Sequence, residues 1–291
     1  MIGFDFNFFW MAANAILRGA SPYSIGGFFS PFPVALLLLP LALLPFIAAY
    51  GLWTALKLFL LARAGDRWGF LKALLFFPVA FDLLQGQLDL LIFILATRLD
   101  WLGAVISTLR PQLAIWIIPF LAWGWWKGRR FDQFWKTALG IVILYGVSTL
   151  IQPNWWADWL QASNVAWQYN QQSASLFGLA TVLPLPHIAV FSAVAVLAVI
   201  AFLVMRPETA RVYWQWVALF NPVANVYSLV ILFDQADWVL ILLGVLALPL
   251  SQLLHTNAVW ALIPLYLALK DRLTPRLAPE RVAPISPGKI A

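Results

Sequence analysis

The fold class is decided by residues 34–61, which read VALLLLPLALLPFIAAYGLWTALKLFLL. As one helix these 28 residues would extend about 42 Å at 1.5 Å per residue. That length exceeds the roughly 30 Å of hydrocarbon in a bilayer, so such a helix would tilt or protrude. Pro40 and Pro45 lie inside the run, and membrane helices tolerate proline where neighbouring groups satisfy the backbone. We therefore predict one membrane-spanning helix over residues 34–61.

The composition of the whole chain also indicates a membrane protein. Of 291 residues, 63% are hydrophobic and 10% are charged, and the mean hydropathy is +0.85. Soluble domains carry about 25% charged residues, so most side chains here do not face water. The chain has no cysteine, which excludes thiol catalysis and disulfides. We predict an all-α, polytopic transmembrane bundle.

The other apolar runs are short, and polar or proline-containing turns separate them. Several cannot cross a bilayer unaided, which predicts broken and short helices that line a cavity. A break at Asn221-Pro222 would supply one more crossing in the last third of the chain. The runs are 70–84, 88–97, 101–109, 113–126, 137–151, 187–205, 212–233, 238–254 and 258–269.

The basic residues predict the topology. The net charge is +6, and the lysines and arginines cluster in short connections at the ends of apolar runs. Cytoplasmic loops carry such clusters, whereas nucleic-acid binding calls for one basic patch. We predict a multi-pass plasma-membrane protein that does not bind nucleic acid. Its single membrane domain, 1–269, has outer loops at 1–32 and 152–187, and a basic, proline-rich cytoplasmic tail at 270–291.

One alternative concerns the number of crossings in this topology. If residues 88–109 formed one helix, the basic cluster at 127–130 would lie outside; we prefer separate crossings. No signal peptide is visible, because no basic segment precedes an apolar core at the start.

The first candidate for chemistry is Asp5, within the aromatic segment GFDFNFFWMAANAILRGASPY. A carboxylate among apolar rings is partly desolvated, which raises its pKa toward useful base strength. The alternative is a capping aspartate at the start of an amphipathic helix. Arg18 and Arg110 stand at predicted outer turns, where a guanidinium fork suits phosphate. Arg18 could equally reach toward lipid headgroups.

Further polar residues interrupt apolar runs near the predicted outer face. Gln85, Gln87 and Asp89 would suit a hydroxyl-rich ligand, or they form an ordinary polar turn. Asn170 and Gln171 pair amides with nearby aromatic residues, a mixture common in sugar sites. Asp82 lies within an apolar run and is a candidate for an intramembrane role, or sits neutral or paired at the interface. We predict that Asp5 lies within about 10 Å of Arg18 or Arg110 at the mouth of an outward cavity, which is the reach of a sugar phosphate held by direct hydrogen bonds.

Several common chemistries have no motif in this sequence. There is no GxxxxGK[ST] loop, no GxSxG elbow and no HExxH. The two histidines, His187 and His255, are isolated, so a histidine-rich metal site is excluded. Cytosolic nucleotide use is therefore poorly supported.

The order of these segments resembles that of the glycosyltransferases of family 87, the DUF2029 group, which use polyprenol-phosphate sugars such as the mannose donor. The resemblance covers roughly residues 3–265, and its most specific parts are the D-F…A…L-x-G-x-x-P-Y opening and the G-Q-x-[ND] turn. The segments are GFDFNFFWMAANAILRGASPY at 3–23, SPFPVALLLLPLALLP at 30–45, LLQGQLDLL at 83–91, RPQLAIWIIPFL at 110–121, NQQSASLFGL at 170–179 and NPVANVY at 221–227.

This resemblance implies a fold of the GT-C superfamily and a hexosyltransferase, with mannose the expected sugar, active on the extracytoplasmic face. Asp5 matches the family's catalytic carboxylate and would act as the general base, with inversion at the anomeric carbon. Arg18 or Arg110 would bind the leaving phosphate, so neither a metal nor a cofactor is required. The partners would be a polyprenyl-phosphate sugar donor and a lipid or glycan acceptor. The sugar or acceptor would contact Tyr23, Gln87, Asn170 and Gln171.

Two departures from the family pattern leave alternatives open. The helix that normally precedes the aspartate loop is missing, which suggests an N-terminal truncation or a late start. Near residues 221–227, the family often has S-P-x-S-W followed by histidine, which this chain lacks. The alternatives are a transporter or flippase for a lipid-linked substrate, favoured by broken helices with polar groups, and a non-catalytic membrane scaffold. A transporter should show related halves, and the sequence shows none.

Overall fold

A computed structural model describes residues 2–169, 173–205, 209–221 and 224–273. These residues form helices and no strand, which confirms the all-α prediction. The α-helices are α1 Phe4–Leu17, α2 Phe32–Leu37, α3 Leu39–Ala42, α4 Phe46–Ala64, α5 Arg67–Leu75, α6 Phe77–Gln85, α7 Asp89–Arg98, α8 Asp100–Ser107, α9 Pro111–Lys127, α10 Asp132–Ile151, α11 Trp155–Tyr169, α12 His187–Met205, α13 Ala210–Phe220, α14 Trp238–Leu253 and α15 Leu262–Leu273. Segments of 3₁₀ helix lie at Pro22–Ser24, Leu176–Thr181, Val226–Gln235 and Asn257–Ala261.

The prediction of one helix over 34–61 is wrong, because its two prolines end up at helix starts. Pro40 is the second residue of α3, and Pro45 is the N-cap of α4. Proline lacks an amide hydrogen and disfavours helical geometry in the residue before it. The single predicted span therefore divides into α2, α3 and α4, of which only α4, with 19 residues, is long.

By length and composition, α4 and α10 can each cross a membrane. The helices α5 and α6 would form a third crossing if they act as one span, and they meet at a bend of 74°. Shorter apolar helices include α14 and the segment Val226–Gln235. The structure thus confirms helices that are short and broken, and it supports a membrane protein with two or three candidate spans among the described residues.

Both predicted outer loops contain helix. Residues 1–32 include α1, whose buried face of Phe6, Phe9, Ala12 and Ala13 follows helical spacing. Residues 152–187 include α11. The predicted tail at 270–291 begins inside α15, which continues to Leu273, and residues 274–291 lie outside the described part of the chain. The predicted break after Phe220 is confirmed, since α13 ends there and the 3₁₀ helix resumes at Val226.

The molecule has two chemically different ends, which the directions of its helices define. Helix α7 and the segment Val226–Gln235 start together, because Ser228 Oγ donates to Asp89 Oδ1 at 3.2 Å. They continue side by side, with the rings of Phe93 and Phe233 6.2 Å apart. Their C-terminal ends therefore lie toward the same end of the molecule. There Arg98 Nη2 donates to the carbonyl oxygen of Ala64 at 2.8 Å.

We call that end the basic end; its charged residues include Arg98, Asp100, Arg130, Arg211, Asp237, Lys270 and Asp271. Ion pairs join Arg130 to Asp100, Arg211 to Asp271 and Lys270 to Asp237. The opposite end, the site end, holds the start of α1 and the starts of α7 and α9.

Candidate active site

The turn between α6 and α7 is the base on which the site is built. Gly86 has φ +75°, the left-handed region that glycine adopts without strain. A Cβ atom on Gly86 would lie 2.5 Å from Cβ of Phe6, so glycine also permits α1 to approach the turn closely. The turn therefore needs glycine for two independent reasons, its backbone angle and its contact with α1.

Helix α4 holds this turn with polar side chains. Trp53 Nε1 donates to the carbonyl oxygen of Gly86 at 3.0 Å, and the Tyr50 hydroxyl donates to that of Leu83 at 2.9 Å. The backbone amide of Gly3 donates to the carbonyl oxygen of Leu84 at 2.7 Å. The start of α1, the middle of α4 and the turn are thereby fixed to one another.

A buried ion pair lies beneath the turn. Lys57 Nζ donates to Asp82 Oδ1 at 2.8 Å and to the carbonyl oxygens of Asp82 at 3.0 Å and Gln87 at 3.1 Å. Asp82 Oδ2 accepts from the Leu90 amide at 3.2 Å. Both charged side chains have 0% exposure. The sequence had indicated Asp82 but not its partner, although a lysine within the apolar run 34–61 is the signal that could have found it.

Above the turn, four side chains form a continuous hydrogen-bonded chain. Gln87 Nε2 donates to Asp5 Oδ2 at 2.6 Å, and Arg110 Nη2 donates to Gln87 Oε1 at 2.6 Å. Arg110 also donates to Asp89 Oδ2, from Nε at 2.8 Å and from Nη2 at 2.7 Å. One carboxamide therefore separates the Asp5 carboxylate from the Arg110 guanidinium, which places Oδ2 and Nη2 no more than about 8 Å apart.

Exposure divides these four residues into an accessible pair and a supporting pair. Asp5 is partly exposed, and the Arg110 side chain is 12% exposed. Gln87 and Asp89 are buried. Asp5 and Arg110 could therefore touch a ligand, and Gln87 and Asp89 hold them in place.

The electrostatics of the site favour a basic carboxylate beside an anion-binding cation. Burial raises the pKa of Asp5 above its ordinary value of 3.8, against the opposing effects of the Gln87 hydrogen bond and the Arg110 charge. Helices α1, α7 and α9 all begin here, and helix N-termini carry partial positive charge. The Arg110 guanidinium is partly exposed, so its N–H groups can donate to an added anion.

Sequence reasoning missed a second layer of the site. The Tyr227 ring lies against Arg110, with its centroid 5.8 Å from Cζ, and the Tyr227 hydroxyl accepts from Asn225 Nδ2 at 2.9 Å. The sequence predicts Asp89 either as a ligand contact or as part of a polar turn, whereas it is the ion-pair partner of Arg110. No spacing in the sequence relates residues 89, 110 and 227, so only the fold brings them together.

Two further predicted site residues, Arg18 and Tyr23, do not join this cluster. Arg18 is exposed and caps the C-terminal end of α1, about 20 Å along the helix from Asp5. Of the two arginines predicted to bind the phosphate, Arg18 therefore does not share a site with Asp5, because a helix of 14 residues separates them. The Tyr23 hydroxyl donates to the carbonyl oxygen of Ser30 at 3.2 Å, and the Tyr23 ring packs on Phe28. Asn170 and Gln171 lie outside the described residues.

An apolar groove of about 750 Å³ runs between α9 and α10, and Pro111, the residue after Arg110, is among its lining residues. Thr108 and Pro111, on either side of Arg110 in the chain, form one end of it, and Ile118 lies further along α9. Tyr145 of α10 lines it and donates its hydroxyl to the carbonyl oxygen of Thr108 at 2.8 Å. Trp156 closes it from the side of α11. The groove therefore offers an apolar surface that leads away from the guanidinium.

Within residues 2–169, 173–205, 209–221 and 224–273, no group of three or more His, Cys, Asp or Glu side chains could hold a metal ion. In comparisons with protein families, curated proteins and solved structures, nothing matches this chain.

Proposed function

We propose that this chain is an integral-membrane glycosyltransferase, similar to family 87 and of the GT-C type. It would move a hexose, with mannose as the first candidate, from a polyprenyl phosphate to an extracytoplasmic acceptor. The observation that carries the proposal is the Asp5–Gln87–Arg110 chain, in which one buried amide separates a partly exposed carboxylate from a partly exposed guanidinium. A base and a phosphate-binding cation at that spacing suit displacement of a phosphate from a sugar.

In the proposed reaction, Asp5 takes the proton of an acceptor hydroxyl. The acceptor oxygen forms a bond to the anomeric carbon, and the bond from that carbon to the phosphate oxygen breaks with inversion. The phosphate leaves with the bonding electrons. Because Gln87 occupies Oδ2 of Asp5, the other carboxylate oxygen, Oδ1, is the one available to the acceptor.

Arg110 would stabilise the negative charge that develops on the leaving phosphate. Asp89 fixes the guanidinium by two hydrogen bonds, so little reorganisation is needed when the charge forms. The N-termini of α1, α7 and α9 add their partial positive charge at the same place. The chain thus stabilises an anion with one cation and helix ends.

The groove between α9 and α10 supports a lipid-linked donor. Its walls are apolar, and Pro111, the residue after Arg110, is one of them, so a donor with its phosphate at the guanidinium would direct its hydrocarbon chain toward the groove. A polyprenyl chain already lies in hydrocarbon within the bilayer, so the groove would hold it by van der Waals packing rather than by the hydrophobic effect. Such a groove would orient the lipid of the donor more than it would add affinity.

The distribution of charge supports the orientation. Arginines and lysines gather at the basic end, and the positive-inside rule places such clusters in the cytoplasm. The site end would then face the exterior of the plasma membrane, and residues 274–291 would form a cytoplasmic tail. A polyprenyl donor and a glycan or lipid acceptor would meet at that outer face.

The test is transfer from radiolabelled polyprenyl-phosphate mannose in membranes that contain the full-length chain. We expect Asp5→Asn to lower the transfer rate by about 10²- to 10⁴-fold, the usual contribution of a general base. Asp158→Asn is the matched control, since Asp158 contacts Ser21 and Gln152 away from Arg110. Transfer that Asp5→Asn leaves intact would exclude Asp5 as the base, and no transfer by the unaltered chain would exclude this donor.

A further inference from the structure

The turn between α9 and α10, residues 128–131, lies at the start of a candidate membrane span. Helix α10 begins at Asp132 and is long and apolar enough to cross a bilayer. A crossing that begins there places the turn at the level of the lipid headgroups, just outside the hydrocarbon. The side chains of the turn would therefore meet the polar surface of the membrane.

Two side chains point inward and fix the turn to the rest of the bundle. The Arg130 guanidinium pairs with the Asp100 carboxylate, and Trp125 Nε1 donates to the same carboxylate. The Trp125 ring also packs edge-on against Phe134, with the two ring centroids 5.4 Å apart. The turn is thus held against the start of α8, so the outward side chains around it have a defined position.

The outward side chains combine indole rings with cations. Trp123, Trp126 and Trp135 are each at least 60% exposed. Lys127 Nζ lies 4.9 Å from the ring centroid of Trp123, and Arg129 is exposed next to it in the turn. Tryptophan is enriched at the boundary between hydrocarbon and headgroups, and lysine and arginine near that boundary attract anionic lipids.

Lys127 and Arg129 differ from neighbouring basic residues in their electrostatic partners. Arg130 pairs with Asp100, and Lys136 pairs with a carboxylate one helical turn away. Within the part of the chain that the structure describes, neither Lys127 nor Arg129 makes an ion pair. Two exposed positive charges without a carboxylate partner favour an anion from outside the protein.

The backbone of Arg129 adds an independent observation. Its φ is +54°, in the left-handed region that costs energy for any residue with a Cβ atom. The Arg129 amide donates to the carbonyl oxygen of Trp126 at 3.1 Å and so closes the end of α9, where glycine is the usual residue. The glycine of this turn, Gly128, has an ordinary φ of −80°. Such conformations cluster at functional sites, so an arginine at this position points to a role for its guanidinium.

We propose that the α9–α10 turn binds the headgroup phosphate of an anionic phospholipid through Lys127 and Arg129. The guanidinium fork suits the phosphate oxygens, and the exposed indoles offer apolar surface to the glycerol and the upper acyl chains. That surface favours a phospholipid over a free phosphate ion. The proposal is independent of the proposed transferase activity, because it uses no residue of the candidate active site.

Binding is tested by native mass spectrometry of the full-length chain in detergent, titrated with phosphatidylglycerol or with phosphatidylcholine. We expect tighter binding of phosphatidylglycerol, because only this headgroup carries a net negative charge. Equal affinity for the two lipids would overturn the proposal. Glycerol 3-phosphate, which lacks acyl chains, should not displace the lipid at equal concentration, and displacement would assign the turn to a free phosphate instead.

Arg129→Gly separates binding from a structural role. It removes the guanidinium and relieves the left-handed backbone, so phosphatidylglycerol should bind about fivefold more weakly. The variant should nevertheless unfold at the same temperature as the unaltered chain or higher. Adding Lys127→Gln should extend the loss to about 25-fold. Unchanged affinity in the double variant would overturn the proposal.

Arg211→Gln is the matched control. It removes one positive charge from the same end of the molecule, but Arg211 is paired with Asp271. We expect this variant to bind phosphatidylglycerol as the unaltered chain does. Equal losses in Arg129→Gly and Arg211→Gln would show that only the net charge of the chain matters, which would overturn the assignment to this turn.

Discussion

The two ends of the molecule use the same charged groups in opposite ways. At the site end, Lys57 and Asp82 are both 0% exposed, and Arg110 pairs with an Asp89 that is 0% exposed. At the basic end, Arg211 is 49% exposed and Asp271 is 27% exposed. The ion pairs of the site end are buried, whereas the ion pair of the basic end remains exposed to solvent.

This difference shows which charges are structural requirements. A surface ion pair contributes a median of about 0–1 kcal/mol, whereas a buried pair must overcome several kcal/mol of desolvation per ion. Such a pair rarely improves stability over apolar residues of similar size. Lys57 and Asp82 instead fix backbone atoms of the turn, because Lys57 also binds the Gln87 carbonyl and Asp82 binds the Leu90 amide. The buried pair therefore serves to fix the position of Gln87 and its neighbours, at the cost of desolvating two charges.

The largest expected effect comes from removing one member of the buried pair. Asp82→Leu leaves the Lys57 charge buried without a carboxylate, which should lower the free energy of unfolding by about 3–5 kcal/mol. The measurement is unfolding in mixed detergent micelles. Replacing both residues, with Lys57→Met and Asp82→Leu, should recover most of the loss because no uncompensated charge remains. A loss under 1 kcal/mol for the single variant would mean that the buried pair contributes no more to stability than an exposed pair, which contradicts the difference between the two ends.

A second prediction concerns the arginines of the two ends. Arg110→Lys keeps the charge but loses the fork that reaches Asp89 and Gln87 together, so the transfer rate should fall by about 10²- to 10³-fold. Arg98→Lys at the basic end is the matched variant, since Arg98 only donates to the Ala64 carbonyl there. It should leave the transfer rate unchanged. Equal losses in the two variants would mean that the arginines act through stability rather than through the site.

Part of this arrangement can be predicted from the sequence. Asp5, Gln87 and Arg110 interrupt apolar surroundings, and the cost of polar groups in such surroundings identifies them as candidates without any structure. Helix content and the break after Phe220 follow from composition and from the Asn221-Pro222 dipeptide. These are local signals, readable within a few residues.

The rest depends on relations between distant segments. Arg18 was predicted for the site as a guanidinium at an outer turn near Asp5 in the sequence, but the helix α1 holds the two residues at opposite ends. The partnership of Lys57 with Asp82 requires α4 to pack on α6, which no local pattern encodes. The sequence also favoured one helix over 34–61, since tolerance of proline depends on neighbours that are unknown before the fold is known.

The pH dependence of transfer tests whether burial at the site end raises the pKa of Asp5. A general base works when deprotonated, so the rate should fall as pH falls through the pKa of Asp5. Because burial raises that pKa, the acid limb of kcat/KM should be centred above 3.8. Gln87→Met removes a hydrogen bond that lowers the pKa, so it should move the limb to higher pH. Gln152→Met, in the separate polar group with Ser21, should leave the limb in place, and a shift of equal size there would contradict Asp5 as its source.

The smallest expected effect is at the basic end, where Arg211→Gln removes one partner of an exposed pair. The free energy of unfolding should fall by no more than about 1 kcal/mol, because water and counterions replace most of what Asp271 supplies. The difference should shrink further between about 0.05 M and 0.5 M salt, as the Debye length shortens. Transfer should be unaffected, since Arg211 contacts none of Asp5, Gln87 or Arg110. A salt-independent loss of 3 kcal/mol or more would show that this pair is as desolvated as Lys57 and Asp82. Burial would then not distinguish the two ends of the molecule.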